Sequence, residues 1–181
     1  MERRVILFTD IGDTIIDEGT EVRHVPGGVV LRAECVPGAR EVMLELYEQG
    51  YTIAMVADGL VESFHNTMTQ HGLDHIFAAK AISEAVGAEK PDPRMFQSAM
   101  DQLGLTERDK RRILMVGNRL PRDVAGANAF GLRSALLRWS PRYRDEWGPG
   151  AEKPDYVLDT PEELPALLRR IEAELEREGD R

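Results

Sequence analysis

Residues 5–14 read Val-Ile-Leu-Phe-Thr-Asp-Ile-Gly-Asp-Thr. The apolar run Val5–Phe8 is too short for a core helix and fits a buried strand. It ends in Thr9-Asp10, and Gly12 permits a tight turn directly afterwards. A carboxylate at a strand terminus presents an oxygen nucleophile to a crevice, whereas the same residues also make a plain turn. Taken alone, the stretch leaves both readings open.

The runs Ile53–Val56, Ile113–Val116 and Ser134–Leu137 have the same short apolar character, with weaker strands at Ala78–Ile82 and Tyr156–Leu158. Helical patterns lie between them. After Pro37-Gly38, the residues Val42, Met43, Leu46 and Tyr47 follow helical spacing up to Gly50. Asp92-Pro93 reads as an N-cap with proline at the first helical position, with Phe96, Met100 and Leu103 on one face. Thr160-Pro161-Glu162-Glu163 is a capping box for a C-terminal helix over about 161–178, with Leu164, Leu167, Leu168, Ile171 and Leu175 as its apolar stripe. Strands alternating with helices predict right-handed crossovers and a mainly parallel α/β sheet. Between Thr20 and Val36, extended apolar residues flank Pro26-Gly27-Gly28, which predicts a β-hairpin over about 20–36.

The 181 residues suit a single domain over 1–181, and no repeat or long linker divides them. Lys plus Arg number 23 against 32 Asp plus Glu, a net charge of −9. That balance excludes general electrostatic binding of nucleic acid and a polybasic membrane surface. One cysteine, Cys35, excludes an internal disulfide, and no Cys/His cluster has zinc-ligand spacing. No stretch is long and apolar enough to span a bilayer, and the four apolar residues after Met1-Glu2-Arg3-Arg4 are fewer than a signal peptide needs, so none is expected. A cytoplasmic location is expected.

In open parallel sheets, ligands bind beyond the carboxyl ends of the strands. Gly87-Ala88-Glu89-Lys90-Pro91-Asp92-Pro93 places Lys90 just before a helix N-terminus, where an ammonium and free amides can share an anion, or where a lysine simply faces solvent. After Ile113–Val116 comes Gly117-Asn118-Arg119-Leu120-Pro121-Arg122-Asp123-Val124-Ala125-Gly126-Ala127. Asn118 and Asp123 can both give oxygens to Mg²⁺, or Asp123 can cap the next helix.

Asp10, Lys90 and Gly117-Asn118…Asp123 appear in that order. The arrangement resembles the haloacid dehalogenase superfamily of aspartate-nucleophile hydrolases, mostly phosphatases, over roughly residues 5–138. Lys90-Pro-Asp-Pro and Val116-Gly117…Asp123…Gly126-Ala127 carry the resemblance most specifically. It implies a Rossmann-like three-layer α/β/α sandwich with the hairpin after the nucleophile loop. It also implies Asp10 as nucleophile, forming an aspartyl-phosphate. Mg²⁺ would be held by Asp10, the Gly12 carbonyl, Asn118 and Asp123. Lys90, with the backbone of Ala57 and Asp58, would bind phosphate.

The sequence departs from that pattern at three places. The second Asp, two residues after the nucleophile, is Gly12; losing an acid/base costs roughly 10²–10⁴ in rate. Asp13 or Asp58 is a possible substitute acid, against the plain reading of Asp58 as a turn residue. The Ser/Thr expected after the second strand is Ala57, which removes a hydroxyl donor. The first acid of the metal loop is Asn118, which offers a neutral oxygen and makes Asp123 the main carboxylate beside Asp10.

The 38 positions between Thr14 and Ile53 and the 32 between Ala57 and Lys90 leave no room for a cap domain. A capless member with an open site suits a large, even macromolecular, phosphorylated substrate, or a site closed by another subunit. Arg138-Trp139-Ser140-Pro141-Arg142 follows the fifth strand and either forms a substrate rim with Arg119 and Arg122 or packs the loop onto the body. The expected function is a Mg²⁺-dependent phosphatase. The alternatives are a catalytically impaired module that binds a phosphorylated partner and, least favoured for want of an enclosed apolar pocket, a metal-free dehalogenase.

Overall fold

A computed structural model describes residues 5–179; Met1–Arg4 and the last two residues lie outside them. Strand β1 (Ile6–Thr9) is buried on both faces. Val5 and Leu7 enter one core, Ile6 and Phe8 the other. This period-2 division is why the run carries no polar residue until Thr9.

The chain then forms a small antiparallel hairpin, β2 (Val22–Arg23) with β3 (Val30–Arg32). It continues through α1 (Ala39–Glu48), β4 (Thr52–Ala57), α2 (Val61–Gln70), β5 (Phe77–Ile82), the one-turn helix α3 (Ser83–Val86) and α4 (Pro93–Gln102). The last third holds β6 (Ile113–Gly117), α5 (Ala125–Phe130), β7 (Arg133–Leu137), β8 (Tyr156–Leu158) and α6 (Leu164–Gly179). Six strands make one parallel sheet in the order β5-β4-β1-β6-β7-β8. Helices α1, α2 and α6 cover one face; α4 and α5 cover the other. The result is a Rossmann-like α/β/α sandwich. None of the described helices is long and apolar enough to cross a membrane.

The strands run slightly beyond their apolar cores. Thr52, Gly117 and Arg133 join the ladder because strand pairing uses backbone groups, which the side-chain pattern does not report. Helix α4 starts as its sequence predicts, with the Asp92 carboxylate accepting from the Arg94 amide and Pro93 in the first turn. The Thr160–Glu163 capping box forms reciprocally, over a short 3₁₀ turn that leads into α6. Leu164, Leu167, Leu168, Ile171 and Leu175 of α6 are all buried, each contributing about 1.5–3 kcal/mol relative to exposure.

Sheet order reverses between β1 and β6: the chain moves outward from β1 to β4 and β5, then returns to the other side of β1. The loops after β1 and β6 therefore open a crevice between them. The hairpin is fixed beside it. The Val30 amide donates to Ser63 Oγ, Asn66 donates to the Val30 carbonyl and Gln70 accepts from the Ala33 amide. These bonds to α2 make the hairpin a wall of the crevice.

Candidate active site

A cleft of about 310 Å³ lies at this switch point, lined by Asp10, Lys90, Asp123, Asp58, Arg119 and Arg122, with Glu18, Glu21 and Arg23 on the hairpin side. Asp10 follows β1, and its amide donates to the Val116 carbonyl of β6. Lys90 reaches in from the loop before α4, across a cis Lys90–Pro91 peptide. Its ammonium donates to Asp10 Oδ1 at 2.9 Å, Asp123 Oδ1 at 2.7 Å and the Val56 carbonyl at 2.7 Å. All three donors of the ammonium are thereby used. Burial alone would lower the Lys90 pKa, but Asp10, Asp123 and Asp58 raise it overall, which favours the charged ammonium. The Asp10 carboxyl is raised, by burial first and by Asp123 second, against the lowering effect of Lys90.

Asp123 sits in a wide π-type turn over Leu120–Val124. It does not cap α5. Its Oδ1 holds Lys90 and its Oδ2 accepts from the Arg119 amide at 3.0 Å. Gly117 makes this approach possible, since a β-carbon there would stand 2.6 Å from Asp123 Cβ. Asp123, expected as the main cation carboxylate beside Asp10, takes an N–H donor on each oxygen, from Lys90 and from the Arg119 amide.

Three other groups converge instead. The Asn118 amide terminus lies 3.2 Å from both the Gly12 carbonyl oxygen and Asp10 Oδ2. With its nitrogen inward it donates to both. With its oxygen inward the three oxygens share one space with no donor between them, the arrangement a hard cation needs. No three His, Cys, Asp or Glu side chains among the described residues cluster as a metal site. A cation here rests on one carboxylate, one amide and one carbonyl, which fits Mg²⁺ because that ion retains several waters.

The two candidate substitute acids are both engaged elsewhere. Asp58 accepts from the Lys90 amide at 2.9 Å and from Arg122 Nη1 at 3.1 Å, so it braces the three loops of the site. Asp13 is fully buried in a left-handed backbone conformation (φ 50°). It takes Arg142 Nε at 2.8 Å and Nη2 at 2.6 Å, plus the Glu18 amide at 3.0 Å. Every carboxylate oxygen of the two is thus held by an N–H donor. Ala57 ends β4 with its methyl buried in the core, so a phosphate contact there falls to the backbone of Ala57 and Asp58.

The predicted rim divides. Arg119 lines the cleft, stacks over the Tyr143 ring at 4.4 Å and makes no ion pair among the described residues. Arg122 also lines it, paired with Asp58. Arg138 instead pairs with Asp159, Trp139 packs on the core, and Arg142 locks Asp13. The reason is electrostatic: buried Asp13 requires a partner, and Arg142 supplies a bidentate one. Arg142→Ala leaves that carboxylate short of two donors, with an expected loss on the order of 2 kcal/mol in thermal melting.

Glu18, Glu21 and Arg23 have no counterpart among the expected site residues. Their only signal was an acidic run, Asp17-Glu18, shortly after a loop lacking its second acid. Glu18 has a raised pKa, from burial first, then Asp13 and Glu21, against lowering by the Tyr143 hydrogen bond and Arg142.

Known proteins supply the remaining comparison. A family model described as haloacid dehalogenase-like hydrolase matches residues 3–131. Among curated proteins, a glyceraldehyde 3-phosphate phosphatase of Methanopyrus kandleri is 31% identical over 136 residues, covering 75% of this chain and 57% of that protein. A glyceraldehyde 3-phosphate phosphatase of Pyrococcus furiosus is 31% identical over 139 residues, covering 77% and 55%. The chain thus spans little more than half the length of these relatives. Among solved structures, the HAD-hydrolase YfnB of Bacillus subtilis, bound to magnesium, superimposes with a TM-score of 0.72 over 92% of this chain and 99% of its own, at 16% identity. With its six-stranded parallel sheet, and a family model that covers most of its length, the chain belongs to the haloacid dehalogenase-like hydrolases.

Proposed function

We propose that this protein is a Mg²⁺-dependent phosphomonoesterase working through an aspartyl-phosphate on Asp10. The observation that carries the reading is Lys90, a buried cation 2.9 Å from Asp10 Oδ1 at the mouth of a polar cleft. Asp10 Oδ1 attacks phosphorus, and Lys90 stabilises the negative charge that develops on the phosphoryl oxygens. The Asp58 and Ala57 backbone and the unpaired Arg119 guanidinium supply further contacts to the anion. Asp58 and Arg122 hold the three loops in register, so these groups are in place before substrate arrives.

Asp10 Oδ2, the Gly12 carbonyl and Asn118 would hold the cation, with Asp123 a further carboxylate beside Lys90. Bound there, Mg²⁺ neutralises charge between two anions that otherwise repel. The cleft of about 310 Å³ has room for a small phosphate ester. The names of the archaeal relatives point the same way. A dehalogenase would need an apolar enclosure, and the lining here is largely charged.

The test is steady-state hydrolysis of an aryl phosphate by wild type and Asp10→Asn, each with Mg²⁺ and with chelator. Turnover that requires both Asp10 and Mg²⁺ is expected. Wild type and variant behaving alike would remove the phosphatase reading. The binding-only alternative, which draws on Gly12, Ala57 and the neutral Asn118, would then lead. A second expectation concerns the cation alone. Asn118→Asp adds a charge to the converging oxygens and should tighten Mg²⁺ on the order of tenfold, read as the midpoint of Mg²⁺-induced thermal stabilisation.

A further inference from the structure

The site described so far lacks a group to protonate the leaving oxygen. Gly12 occupies the position where the phosphatase pattern has its acid, and Asp13 and Asp58 have their oxygens held by donors. The space beside Gly12 is nevertheless filled. A β-carbon on Gly12 would overlap Glu18 Oε1 and lie 3.0 Å from Glu18 Cδ and 3.2 Å from its Cγ. A carboxylate therefore reaches the same spot from a residue six positions further along.

Glu18 is also aimed there by a dedicated set of contacts. Its amide donates to Asp13 Oδ1 at 3.0 Å, and it opens a 3₁₀ turn (Glu18–Thr20) capped by Asp17, whose Oδ1 accepts from the Gly19 amide at 2.9 Å. Arg142 clamps both Asp13 and Asp17. Tyr143 donates to Glu18 Oε2 at 2.6 Å, which leaves Oε1 toward Gly12 and the cleft. Glu21, the other carboxylate on this wall, is paired with Arg23. The buried Asp13, the 138–144 segment and the absence of a side chain at residue 12 thus have one common result, the placement of the Glu18 carboxyl in the cleft that holds Asp10.

Resting on the phosphatase reading above, we propose that Glu18 is the general acid and base of the reaction, taking the place of the acid absent at Gly12. As Asp10 Oδ1 bonds to phosphorus, the bond from phosphorus to the ester oxygen breaks with its electron pair on that oxygen. The Glu18 carboxyl gives this oxygen its proton, and an alcohol leaves. The Glu18 carboxylate then takes one proton from a water whose oxygen attacks the phosphorus of the aspartyl-phosphate. The bond to Asp10 breaks, its carboxylate is regenerated and inorganic phosphate departs. Arg142 and Tyr143 are positioning residues for this acid.

Leaving-group dependence tests the assignment. A dinitrophenolate departs without a proton, whereas an alkoxide needs one, so only the second should depend on Glu18. We would measure kcat/KM for 2,4-dinitrophenyl phosphate and for glycerol phosphate in wild type, Glu18→Gln and Asp10→Asn. Glu18→Gln is expected to lose roughly 10²–10⁴ on the alkyl ester and little on the activated one. It should also accumulate phosphoenzyme after a burst of dinitrophenolate, because water activation is lost. The ratio of the two esters within one variant is independent of how much protein is folded. A second variant moves the carboxylate: Gly12→Asp/Glu18→Ala frees the space and refills it from residue 12, and should recover alkyl-ester turnover relative to Glu18→Ala. Equal losses on both esters, or intact alkyl-ester turnover in Glu18→Gln, would overturn Glu18 while leaving Asp10 chemistry standing. Absence of Asp10-dependent turnover on either ester in wild type would overturn the phosphatase reading and this assignment with it.

Discussion

Asp10→Asn is expected to eliminate turnover and, in the same protein, to raise the stability of the metal-free fold. The loss of activity, on the order of 10⁴ or more, follows from removing the carboxylate oxygen proposed to form the covalent intermediate. The gain in stability follows from burial. The Asp10 side chain is 12% exposed and shares its surroundings with the Asp123 carboxylate, while a single ammonium, Lys90, serves both. Its pKa is raised to about 7, by burial first and Asp123 second. A raised acid makes folding costlier as it ionises. The penalty is absent below the unfolded value near 4 and complete above the raised one. Asparagine keeps an oxygen for Lys90 and carries no charge, so it should stabilise by about 1–2 kcal/mol, or about 3–6 °C in melting temperature. Melting both proteins in chelator at pH 8 and at pH 4 checks the sign. The gain should be present at pH 8 and gone at pH 4. A destabilised Asp10→Asn at pH 8 would mean that the carboxylate contributes to the fold as well as to chemistry.

Lys90→Met is expected to have the opposite effect on stability and the same effect on activity. Its ammonium is the shared donor for Asp10, Asp123 and the Val56 carbonyl, with a side chain only 1% exposed. Methionine fills the volume but leaves two buried carboxylates without a cation. Breaking a buried pair in this way costs about 3–5 kcal/mol, and a chain of this length should lose about 10–15 °C. Phosphate turnover should fall below detection, because the charge facing the phosphoryl oxygens goes too. The double variant Asp10→Asn/Lys90→Met separates the causes. If the two groups are coupled as their 2.9 Å contact implies, its loss should be about 2 kcal/mol smaller than that of Lys90→Met plus any change in Asp10→Asn. Simple additivity, or a melting temperature within a few degrees of wild type, would show that Lys90 is not the cation of a buried cluster.

Much of this molecule is local in origin and could be read from residues alone. Val5–Phe8, Ile53–Val56 and Ile113–Val116 are short apolar runs without helical spacing, and strands are what such runs form when buried on both faces. Asp92-Pro93 and Thr160–Glu163 carry their helix starts in neighbouring side chains. Asp10, Lys90, Asn118 and Asp123 are identifiable because each lies in a loop directly after a strand or just before a helix, and sheet order then brings those loops to one crevice.

What each side chain does there depends on partners far away in the chain. Arg142 meets Asp13 across 129 positions, and Arg138 turns to Asp159, so residues that read as a substrate rim became part of the scaffold. Asp58 and Asp13 look like spare acids by composition, but N–H donors from Lys90, Arg122, Arg142 and Glu18 occupy them. Glu18 is not among the residues the sequence singles out, and it enters the site because Gly12 leaves a gap beside it. The pattern of apolar and polar residues determines which elements form and where their ends point, because burial acts on each residue's own side chain. Whether a given carboxylate is a nucleophile, a brace or an acid depends on which charges and donors the finished fold brings within about 3 Å, and those come from distant parts of the chain.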